Sequence, residues 1–335
     1  MKVCIIGGTG LLGAQAAQEL IDRGHDVVGV ALPPLPEGAS LPKEMGILYG
    51  NYIEMSDQEI ANLLSDCQGL IFAAGIDERV EGPAPIYDLF AKYNITALER
   101  LLRIGKQVGV LHAVVCGSYF AYFEKTLPEL NLSDVHPYIR SRRDQEQMAL
   151  SFADSQFDVA VIELPYIFGT QPGRKPVWSV FVKSIRDMKP WTFWTKGGTT
   201  MVTVKQVGQA LAGALERNHG GHAYPLGYYN MEWKELIGHF HDAIGTPGKK
   251  IVSIPKWLYA LTGKQLKKAQ NKAGHEGGLD MEKFAELQCR CLFIDKSQVA
   301  TQLGVTEDDI VGAIHDSVNL SLESLGKQMV EMRAE

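Results

Sequence analysis

The sequence predicts an α/β fold in which a doubly wound parallel sheet is followed by a smaller, mixed C-terminal region. Six short apolar runs in the first half alternate with stretches of helical periodicity, which is typical of consecutive βαβ units. These runs do not alternate with polar residues, as expected for strands that helices cover on both faces. After Pro165 aromatic residues and glycines interrupt shorter helical stretches. We therefore expect a first domain over residues 1–165 and a smaller substrate-binding region over residues 166–335, some of whose elements could return to the main sheet.

The predicted strands are short runs of β-branched and other apolar residues that end at turn residues. The first is closed by Gly7-Gly8-Thr9-Gly10, the second by Pro33-Pro34, and the sixth ends just before Pro165. Together they occupy residues 3–6, 26–32, 46–50, 69–74, 111–116 and 157–164.

The predicted helices are segments in which apolar residues recur at intervals of three and four. They occupy residues 11–23, 56–65, 86–108, 138–152, 205–217 and 231–243. Residues 256–268 form a basic amphipathic stretch, which we interpret as a helix with a solvated face. Because helices separate consecutive strands, right-handed crossovers and a parallel sheet follow.

Composition and charge disfavour several classes of function. The 335 residues carry a formal net charge of −6, whereas nucleic-acid-binding proteins usually present a basic face. No apolar run reaches the roughly 18 residues of a membrane span, and the N-terminus is not expected to be a secretory signal. The five cysteines are odd in number and lack disulfide-framework spacing, which favours reduced thiols and a cytoplasmic location.

Two short motifs could suggest a metal site, but neither has the necessary partners. Cys289 and Cys291 have no second cysteine or histidine pair at ligand spacing nearby. His239 and His241 would point apart from a helix, because residues two positions apart do not share a face. No metal ion is therefore expected.

The segment Gly7-Gly8-Thr9-Gly10-Leu11-Leu12-Gly13 predicts a dinucleotide-binding turn, because it follows a predicted strand and begins a predicted helix. Gly7 permits the tight turn, Gly10 lets the backbone approach a pyrophosphate, and Gly13 lets the helix pack closely on the strand. The free N–H groups and partial positive charge of the helix N-terminus would bind the phosphates. We expect a Rossmann-type fold that binds NAD or NADP.

The choice between the two cofactors is open at this stage. The end of the second strand usually carries an acid that binds the ribose 2′-hydroxyl, or a base that binds a 2′-phosphate. This chain has Ala31-Leu32-Pro33-Pro34 there, which offers neither.

The glycine spacing resembles that of the extended short-chain dehydrogenase/reductase family, the NAD-dependent epimerase/dehydratase type. Further segments follow in the family's order: Ala73-Ala74-Gly75, Ser118-Tyr119-Phe120-Ala121-Tyr122, Tyr138-Ile139-Arg140-Ser141-Arg142 and Pro165-Tyr166-Ile167-Phe168-Gly169. The third, followed by Glu146, is similar to the family's Tyr-x-x-Ser-Lys-x-x-x-Glu pattern, and the last to its Pro-x-x-Val-Tyr-Gly segment. The resemblance covers about the first 170 residues and becomes thin beyond Leu226.

The resemblance implies a set of cofactor-binding residues in the glycine-rich turn, at strand ends, in one helix and after the sixth strand. Asn51 stands where the family commonly has an Asp in contact with adenine, and an amide could make the same contact. The set is Gly7, Thr9, Gly10, Leu11, Leu12, Gly13, Ala31, Asn51, Tyr52, Ala73, Ala74, Gly75, Asn94, Pro165 and Ile167.

The resemblance also implies catalysis by Ser118, Tyr138 and Arg142. Tyr138 and Arg142 are four residues apart, so they project from one face of a helix. A phenol has a pKa near 10, and a neighbouring cation favours its phenolate. Ser118 would hold a substrate carbonyl while Tyr138 transfers the proton and the cofactor the hydride. Arg142 replaces the family's Lys; it keeps the charge and can bind ribose hydroxyls, but it cannot relay protons.

Departures from the family bear on the substrate. Thr199 and Thr200 stand where many nucleotide-sugar enzymes carry an Arg that binds the substrate diphosphate, which favours a different substrate class. Glu163 replaces the Arg that usually precedes Pro165. Aromatic residues in segments expected at the cleft predict a mainly apolar or ring-containing substrate. They are Tyr119, Tyr122, Tyr166, Phe168 and Trp178.

These features predict an NAD(P)-dependent oxidoreductase that acts on a carbonyl or alcohol, with Tyr138 as general acid/base. A sugar epimerase or dehydratase is the first alternative, and a cofactor that stays bound and ends unchanged would favour it. A non-catalytic dinucleotide-binding protein is the second, supported by the replacement at Arg142. A small-molecule partner is expected, together with a homodimer formed through helices 86–108 and 138–152.

Overall fold

A seven-stranded parallel sheet organises the chain in a computed structural model that describes residues 1–35, 37–327 and 329. The strands in the described residues, in chain order, are β1 (Lys2–Ile6), β2 (Asp26–Ala31), β3 (Gly46–Tyr49), β4 (Gly69–Phe72), β5 (Glu81–Pro83), β6 (His112–Cys116), β7 (Asp158–Glu163), β8 (Tyr166–Phe168), β9 (Thr192–Thr195), β10 (Gly198–Thr203), β11 (Gly221–Pro225), β12 (Tyr229–Glu232), β13 (Ile251–Ile254), β14 (His275–Gly277) and β15 (Cys291–Leu292).

The strand order in the main sheet is β11-β7-β6-β4-β1-β2-β3, and every neighbouring pair is parallel. The order reverses at β1, so the switch point where such sheets bind ligands lies between β1 and β4. All six predicted strands are present in this sheet, with ends within two residues of the prediction. The predicted Rossmann-type α/β fold is confirmed. β11, which follows residue 165, is the seventh strand, while the domain boundary at residue 165 stays a prediction.

The helices run between these strands and over the C-terminal part. In chain order they are α1 (Leu11–Asp22), α2 (Asp57–Leu64), α3 (Tyr87–Phe90), α4 (Ala97–Gln107), α5 (Tyr119–Thr126), α6 (Leu132–Val135), α7 (Pro137–Leu150), α8 (Ser179–Asp187), α9 (Val204–Arg217), α10 (Trp233–Ile244), α11 (Lys256–Lys272), α12 (Ala285–Gln288), α13 (Ser297–Leu303) and α14 (Ile310–Ser324).

Most predicted helices are present with small shifts at their ends. The segment predicted as one helix over residues 86–108 consists of α3, a π-helical segment at Ala91–Thr96, and α4. The helix predicted from residue 231 begins two residues later, because Met231 lies in β12 and pairs with β10. The basic amphipathic stretch is α11, in which only Gly263 is buried, as expected for a solvated helix.

Apolar layers cover both faces of the main sheet, which explains the continuous apolar strands. In β1, Val3 and Ile5 pack into the layer that contains α1 and α9, whereas Cys4 and Ile6 pack into the layer that contains α2 and α4. A separate apolar cluster around Phe240 joins α8, α10 and α14 in the C-terminal part. Within the described part of the chain, no helix combines the length and apolar content that crossing a bilayer requires.

Candidate dinucleotide site and active site

The glycine-rich turn between β1 and α1 leaves no room for side chains at three positions, Gly7, Gly8 and Gly13. Gly7 has a φ of +87°, and a Cβ there would lie 2.6 Å from the carbonyl oxygen of Ala73 on the neighbouring strand end. A Cβ on Gly13 would lie 2.3 Å from the carbonyl oxygen of Gly7. The Gly10 N–H closes the turn by donating to that same oxygen at 3.0 Å. The turn therefore has the geometry that the sequence predicts.

The N-terminus of α1 is open to a negatively charged ligand. Gly10 is the N-cap; no side chain caps the helix there, and its first turn, Leu11 to Gly13, carries no acidic residue. The first N–H groups of a helix have no partner within the helix and carry partial positive charge. They are thus available to a phosphate. Thr9, just before the cap, is almost fully buried.

The ends of β2 and β3 offer few polar groups for a cofactor. Ala31 accepts a hydrogen bond from the Gly50 N–H through its backbone, and its side chain is buried. The Asn51 Oδ1 accepts from the Ile53 N–H at 3.1 Å, so one end of the amide already stabilises the local turn. Tyr52 packs edge-on against Phe72, and burial raises the pKa of its phenol to about 12.

Asn94 holds the loop that follows β4. Its Oδ1 accepts from the Ile76 N–H at 2.9 Å, and its Nδ2 donates to the Ile76 carbonyl at 3.0 Å. Asn94 is fully buried, lies in the π-helical segment and approaches Gly75 closely enough that a Cβ there would be 2.4 Å from Oδ1. Both ends of the amide therefore bond to Ile76, which directly follows the Ala73-Ala74-Gly75 segment, and the predicted contact of Asn94 with the cofactor stays a prediction.

Arg142 extends the same network from α7. Its Nη2 donates to the Ile76 carbonyl at 3.0 Å, and its Nη1 donates to the Gln145 Oε1 at 2.8 Å. The Gln145 Nε2 in turn donates to the Asn94 carbonyl at 2.7 Å. Arg142 is 7% exposed, and its buried Nε has no hydrogen-bond partner in the described structure. Both Nη atoms are thus bound to the protein, whereas the Nε is buried without a partner.

Tyr138 lies on α7 beneath the Arg142 guanidinium, whose Cζ is 5.1 Å from the centre of the phenol ring. Burial raises the pKa of Tyr138 to about 12, and Arg142 opposes that rise. The expectation that Arg142 favours phenolate is therefore correct in direction, but desolvation has the larger effect. In this state the phenol is a proton donor at neutral pH.

Ser118 lies at the end of β6 and caps α5, where its Oγ accepts from the Phe120 N–H at 3.4 Å. Backbone bonds from Gly117 and Tyr119 to the end of β7 fix this segment, and the Phe120 ring is 6.2 Å from that of Tyr138. The structure thus brings the segments of Ser118 and Tyr138 together.

Comparison with known proteins places the chain in the family that its sequence resembles. The sequence matches the NAD dependent epimerase/dehydratase family over residues 3–227. The chain belongs to this family. The predicted family resemblance is confirmed, the chain is an NAD-dependent enzyme of this family, and its cofactor is NAD or NADP.

Individual relatives are distant but cover most of the chain. A protein of Synechocystis sp. (strain ATCC 27184 / PCC 6803 / Kazusa), provisionally named dihydroflavonol 4-reductase, is 21% identical over 94% of this chain and 93% of its own. The crystal structure of gox2253 has a TM-score of 0.73 at 19% identity, covering 97% of this chain and 98% of that one. UDP-glucose 4-epimerase from Bifidobacterium longum, solved with NAD+ and UDP, has a TM-score of 0.67 at 15% identity, covering 97% and 98%.

A group of phenols lies beside Tyr138 in this family member. The Tyr119 hydroxyl is 3.4 Å from the Thr199 Oγ1, and the Tyr119 and Tyr166 rings are 6.0 Å apart. Burial raises the pKa of both phenols. Glu78, in the loop after β4, interacts electrostatically with all three tyrosines, and burial raises the pKa of its carboxyl to about 7. Nothing in the sequence singles out Glu78, because no motif or periodicity marks that loop.

The other residues predicted to contact the substrate are buried to different extents. Phe168 is fully buried, stacked on Trp178 at 4.4 Å and packed against Phe240, so its ring lies inside an apolar cluster and its contact with substrate stays a prediction. Trp178 is 9% exposed and donates its Nε1–H to the Ile167 carbonyl. Tyr122 packs against Phe123 at the edge of the cluster that contains Tyr138.

The segments around Pro165 and after residue 277 complete the surroundings of the site. Pro165 is buried between β7 and β8. The Tyr138 N–H donates to the Gly278 carbonyl at 2.9 Å, and Phe284 packs on Phe120. The C-terminal part of the chain therefore closes against the helix that carries Tyr138, a contact that the sequence did not reveal.

Glu163, which stands where the family usually has Arg, lies beside the cation of Lys125. The Lys125 Nζ lies 2.6 Å from Glu146 and 3.0 Å from Glu163, and both carboxylates are buried. Burial and the neighbouring Glu146 raise the pKa of Glu163 to about 8. One cation thus faces two carboxyl groups, one of which holds a proton.

Proposed function

We propose that this family member is an NAD(P)-dependent oxidoreductase that reduces a ketone or aldehyde with a ring-containing or apolar substituent. The observation that carries the proposal is the burial of the Tyr138 phenol among aromatic side chains beside Arg142, which raises its pKa to about 12. A phenol in that state is suited to donate a proton to a carbonyl oxygen.

When bound, the reduced nicotinamide supplies the hydride that adds to the carbonyl carbon. Ser118 holds the carbonyl oxygen, and Tyr138 donates its proton to that oxygen, which completes the alcohol. The charge of Arg142 then stabilises the phenolate that remains. For the cofactor we retain the predicted binding set, with the α1 N-terminus on the phosphates and Asn94 as a positioning residue.

The substrate class follows from the side chains around the phenol. Thr199 and Thr200 are fully buried in β10 and carry no charge with which to bind a diphosphate. Tyr119 shares an apolar cluster with Tyr138, and the Tyr166 ring lies 6.0 Å from that of Tyr119, so both add aromatic surface to this region. The name of the Synechocystis relative denotes a reductase, which supports the same reaction class.

The test is a screen of the purified protein with NADH and NADPH against aromatic and aliphatic ketones and aldehydes, following the loss of reduced-nicotinamide absorbance. We expect turnover with at least one aromatic carbonyl, and a kcat lowered by about 10²–10⁴ in Tyr138→Phe. Full turnover in Tyr138→Phe would remove the phenol from its role.

A nucleotide-sugar epimerase is the second candidate, favoured by solved structures such as the Bifidobacterium longum enzyme with NAD+ and UDP. The same preparation incubated with UDP-glucose distinguishes the two. An isomerised sugar detected by NMR, without net change of cofactor, would replace the reductase proposal with the epimerase.

Two further expectations complete the proposal. The five cysteines are free, and Cys4, Cys67 and Cys116 are buried, which supports a reducing, cytoplasmic location. A homodimer through α4 and α7 would give a doubled mass in sedimentation equilibrium, and a monomer at all concentrations would exclude it.

A further inference from the structure

Arg174 reaches the glycine-rich turn from a distant part of the chain. It lies in the loop between β8 and α8, and its Nε and Nη2 donate hydrogen bonds to the carbonyl oxygen and hydroxyl of Thr9 at 3.1 and 3.2 Å. Thr9 directly precedes Gly10, the N-cap of α1. The guanidinium therefore lies beside the helix terminus that is open to a phosphate.

The charge of Arg174 has no counter-charge in residues 1–35, 37–327 and 329. Its contacts there are the two bonds to Thr9, and burial lowers its pKa with no opposing effect from a carboxylate. Arg79, by contrast, is paired with Asp77. A cation that is partly removed from water and unpaired is costly unless an anion joins it.

We propose that Arg174 binds a phosphate of the bound dinucleotide, an inference that rests on the proposed function. Guanidinium is well suited to phosphate because it presents paired N–H donors and stays charged. The end of β2 offers no base, so Arg174 places beside the glycine-rich turn a cation that the strand end does not provide. The phosphate is either the diphosphate shared by NAD and NADP or the 2′-phosphate found only in NADP.

The experiment is a fluorescence titration of wild type, Arg174→Ala and Arg174→Lys with NADH and with NADPH. Arg186→Ala is the matched control, because Arg186 is an exposed arginine on α8 paired with Asp187. We expect Arg174→Ala to raise the Kd for NADPH at least tenfold, Arg174→Lys to raise it less, and Arg186→Ala to leave it unchanged. Unfolding temperatures measured in parallel separate lost binding from lost structure.

The comparison between NADH and NADPH in this titration identifies which phosphate Arg174 binds. Equal weakening for both dinucleotides supports the diphosphate, and weakening confined to NADPH supports the 2′-phosphate. Wild-type affinity for both in folded Arg174→Ala would overturn the proposal while leaving the reductase function intact. Failure of wild type to bind either dinucleotide would instead overturn the proposed function, and the Arg174 inference with it.

A second, independent observation concerns the contact between α10 and α14. His239 and Asp242 are three residues apart on α10 and share a face, and His315 on α14 brings its ring within 6.2 Å of that of His239. One candidate ligand atom from each residue lies within 4.8 Å of the others. The Nε2 of His315 is buried and has no hydrogen-bond partner in the described structure.

His241, on the same helix, differs from His315 because both of its ring nitrogens have hydrogen-bond partners. Its two ring nitrogens bond to Thr192 and Thr246 at 2.8 and 3.0 Å, and it points away from the cluster as the sequence analysis expects. We infer that His239, Asp242 and His315 bind a divalent ion of the zinc class. Two imidazole nitrogens and one carboxylate oxygen are a ligand set that zinc accepts, with water at the remaining position.

The test uses zinc itself on protein first treated with a chelator. Calorimetric titration of wild type should show one site, and zinc should raise the unfolding temperature. His315→Ala and Asp242→Asn should lose both effects, whereas His222→Ala, which removes an exposed histidine elsewhere, should keep them. Wild type that binds no zinc, or folded His315→Ala that binds it as wild type does, would overturn the inference.

Discussion

Replacing Glu163 by Gln should stabilise the protein, and more so as the pH rises. Glu163 is 1% exposed and shares Lys125 with the buried Glu146, so its pKa is raised to about 8 from an ordinary value of 4.5. A folded-state pKa above the unfolded one gives stability that is fully present below about pH 4.5 and lost as the pH rises through about 8. The native protein therefore loses stability through this carboxyl across the neutral range.

Glutamine keeps the shape of a protonated Glu163 but cannot ionise, so it removes that loss. Each pH unit between the two pKa values lowers the free energy of unfolding of the native protein by about 1.4 kcal/mol. Lys125 is 46% exposed, so water reaches this group of charges and weakens the desolvation of an ionised Glu163. We therefore expect a smaller gain than the two pKa values alone would give: Glu163→Gln should raise the free energy of unfolding by about 2 kcal/mol at pH 8. Near pH 5 the variant and wild type should differ by less than about 1 kcal/mol.

The assay is urea unfolding followed by circular dichroism at about pH 5 and about pH 8, with equal m-values as the sign that both proteins unfold alike. Lys125→Met is the contrasting variant, because it removes the only cation facing the two carboxyls in the described structure and should destabilise more at the higher pH. A Glu163→Gln protein that gains nothing on going from pH 5 to pH 8 would refute the assignment of a raised pKa.

The remaining predictions concern the proposed active site. Tyr138→Phe should lower kcat by about 10²–10⁴ without changing the Kd of the cofactor, as steady-state kinetics and titration would show, and full turnover would contradict it. Arg142→Lys keeps a cation near the phenol but cannot span the Ile76 carbonyl and Gln145, so we expect turnover within tenfold of wild type and a lower unfolding temperature. A more than tenfold loss of turnover would show that guanidinium geometry is required. Because the pKa of Tyr138 is raised to about 12, the proton donor persists as the pH rises, and carbonyl reduction should not titrate through this phenol between about pH 6 and 9. A profile that falls in that range, and still falls there in Glu78→Gln, which removes the neighbouring carboxyl whose pKa is about 7, would argue against this pKa.

The sheet and the dinucleotide turn could be predicted because their signals are local. Each strand is an apolar run with a turn residue at its end, and Gly7 and Gly13 occupy positions where the backbone leaves no space for a Cβ. Such requirements are written in adjacent residues, so a single sequence reveals them.

Contacts between distant segments left no comparable signal. Arg174 meets Thr9, and Gly278 meets Tyr138, only because the fold brings residues more than a hundred positions apart together. Glu78 lies in a loop without periodicity, so nothing in the sequence showed that its carboxyl faces the tyrosines.

A sequence motif gives the position of a residue along the chain, but it does not show how deeply the side chain is buried in the fold. Phe168 follows Tyr166 in the expected segment, yet it stacks on Trp178 inside the apolar cluster of the C-terminal part. Asn94 was found at the expected helix position, but the π-helical segment turns its amide onto Ile76. Side-chain direction depends on packing partners that the sequence analysis could not identify.

Binding of NADH and NADPH to Gly10→Ala tests most directly whether the turn at residues 7–13 holds the cofactor. A Cβ at Gly10 would meet only the Gly7 carbonyl, at 3.2 Å, so the variant should fold; Gly238→Ala, whose Cβ would enter open space, is the matched control. We predict a Kd for the preferred dinucleotide at least tenfold above that of wild type in Gly10→Ala, about 1.4 kcal/mol or more, and no change in Gly238→Ala. Wild-type affinity in folded Gly10→Ala would contradict the account.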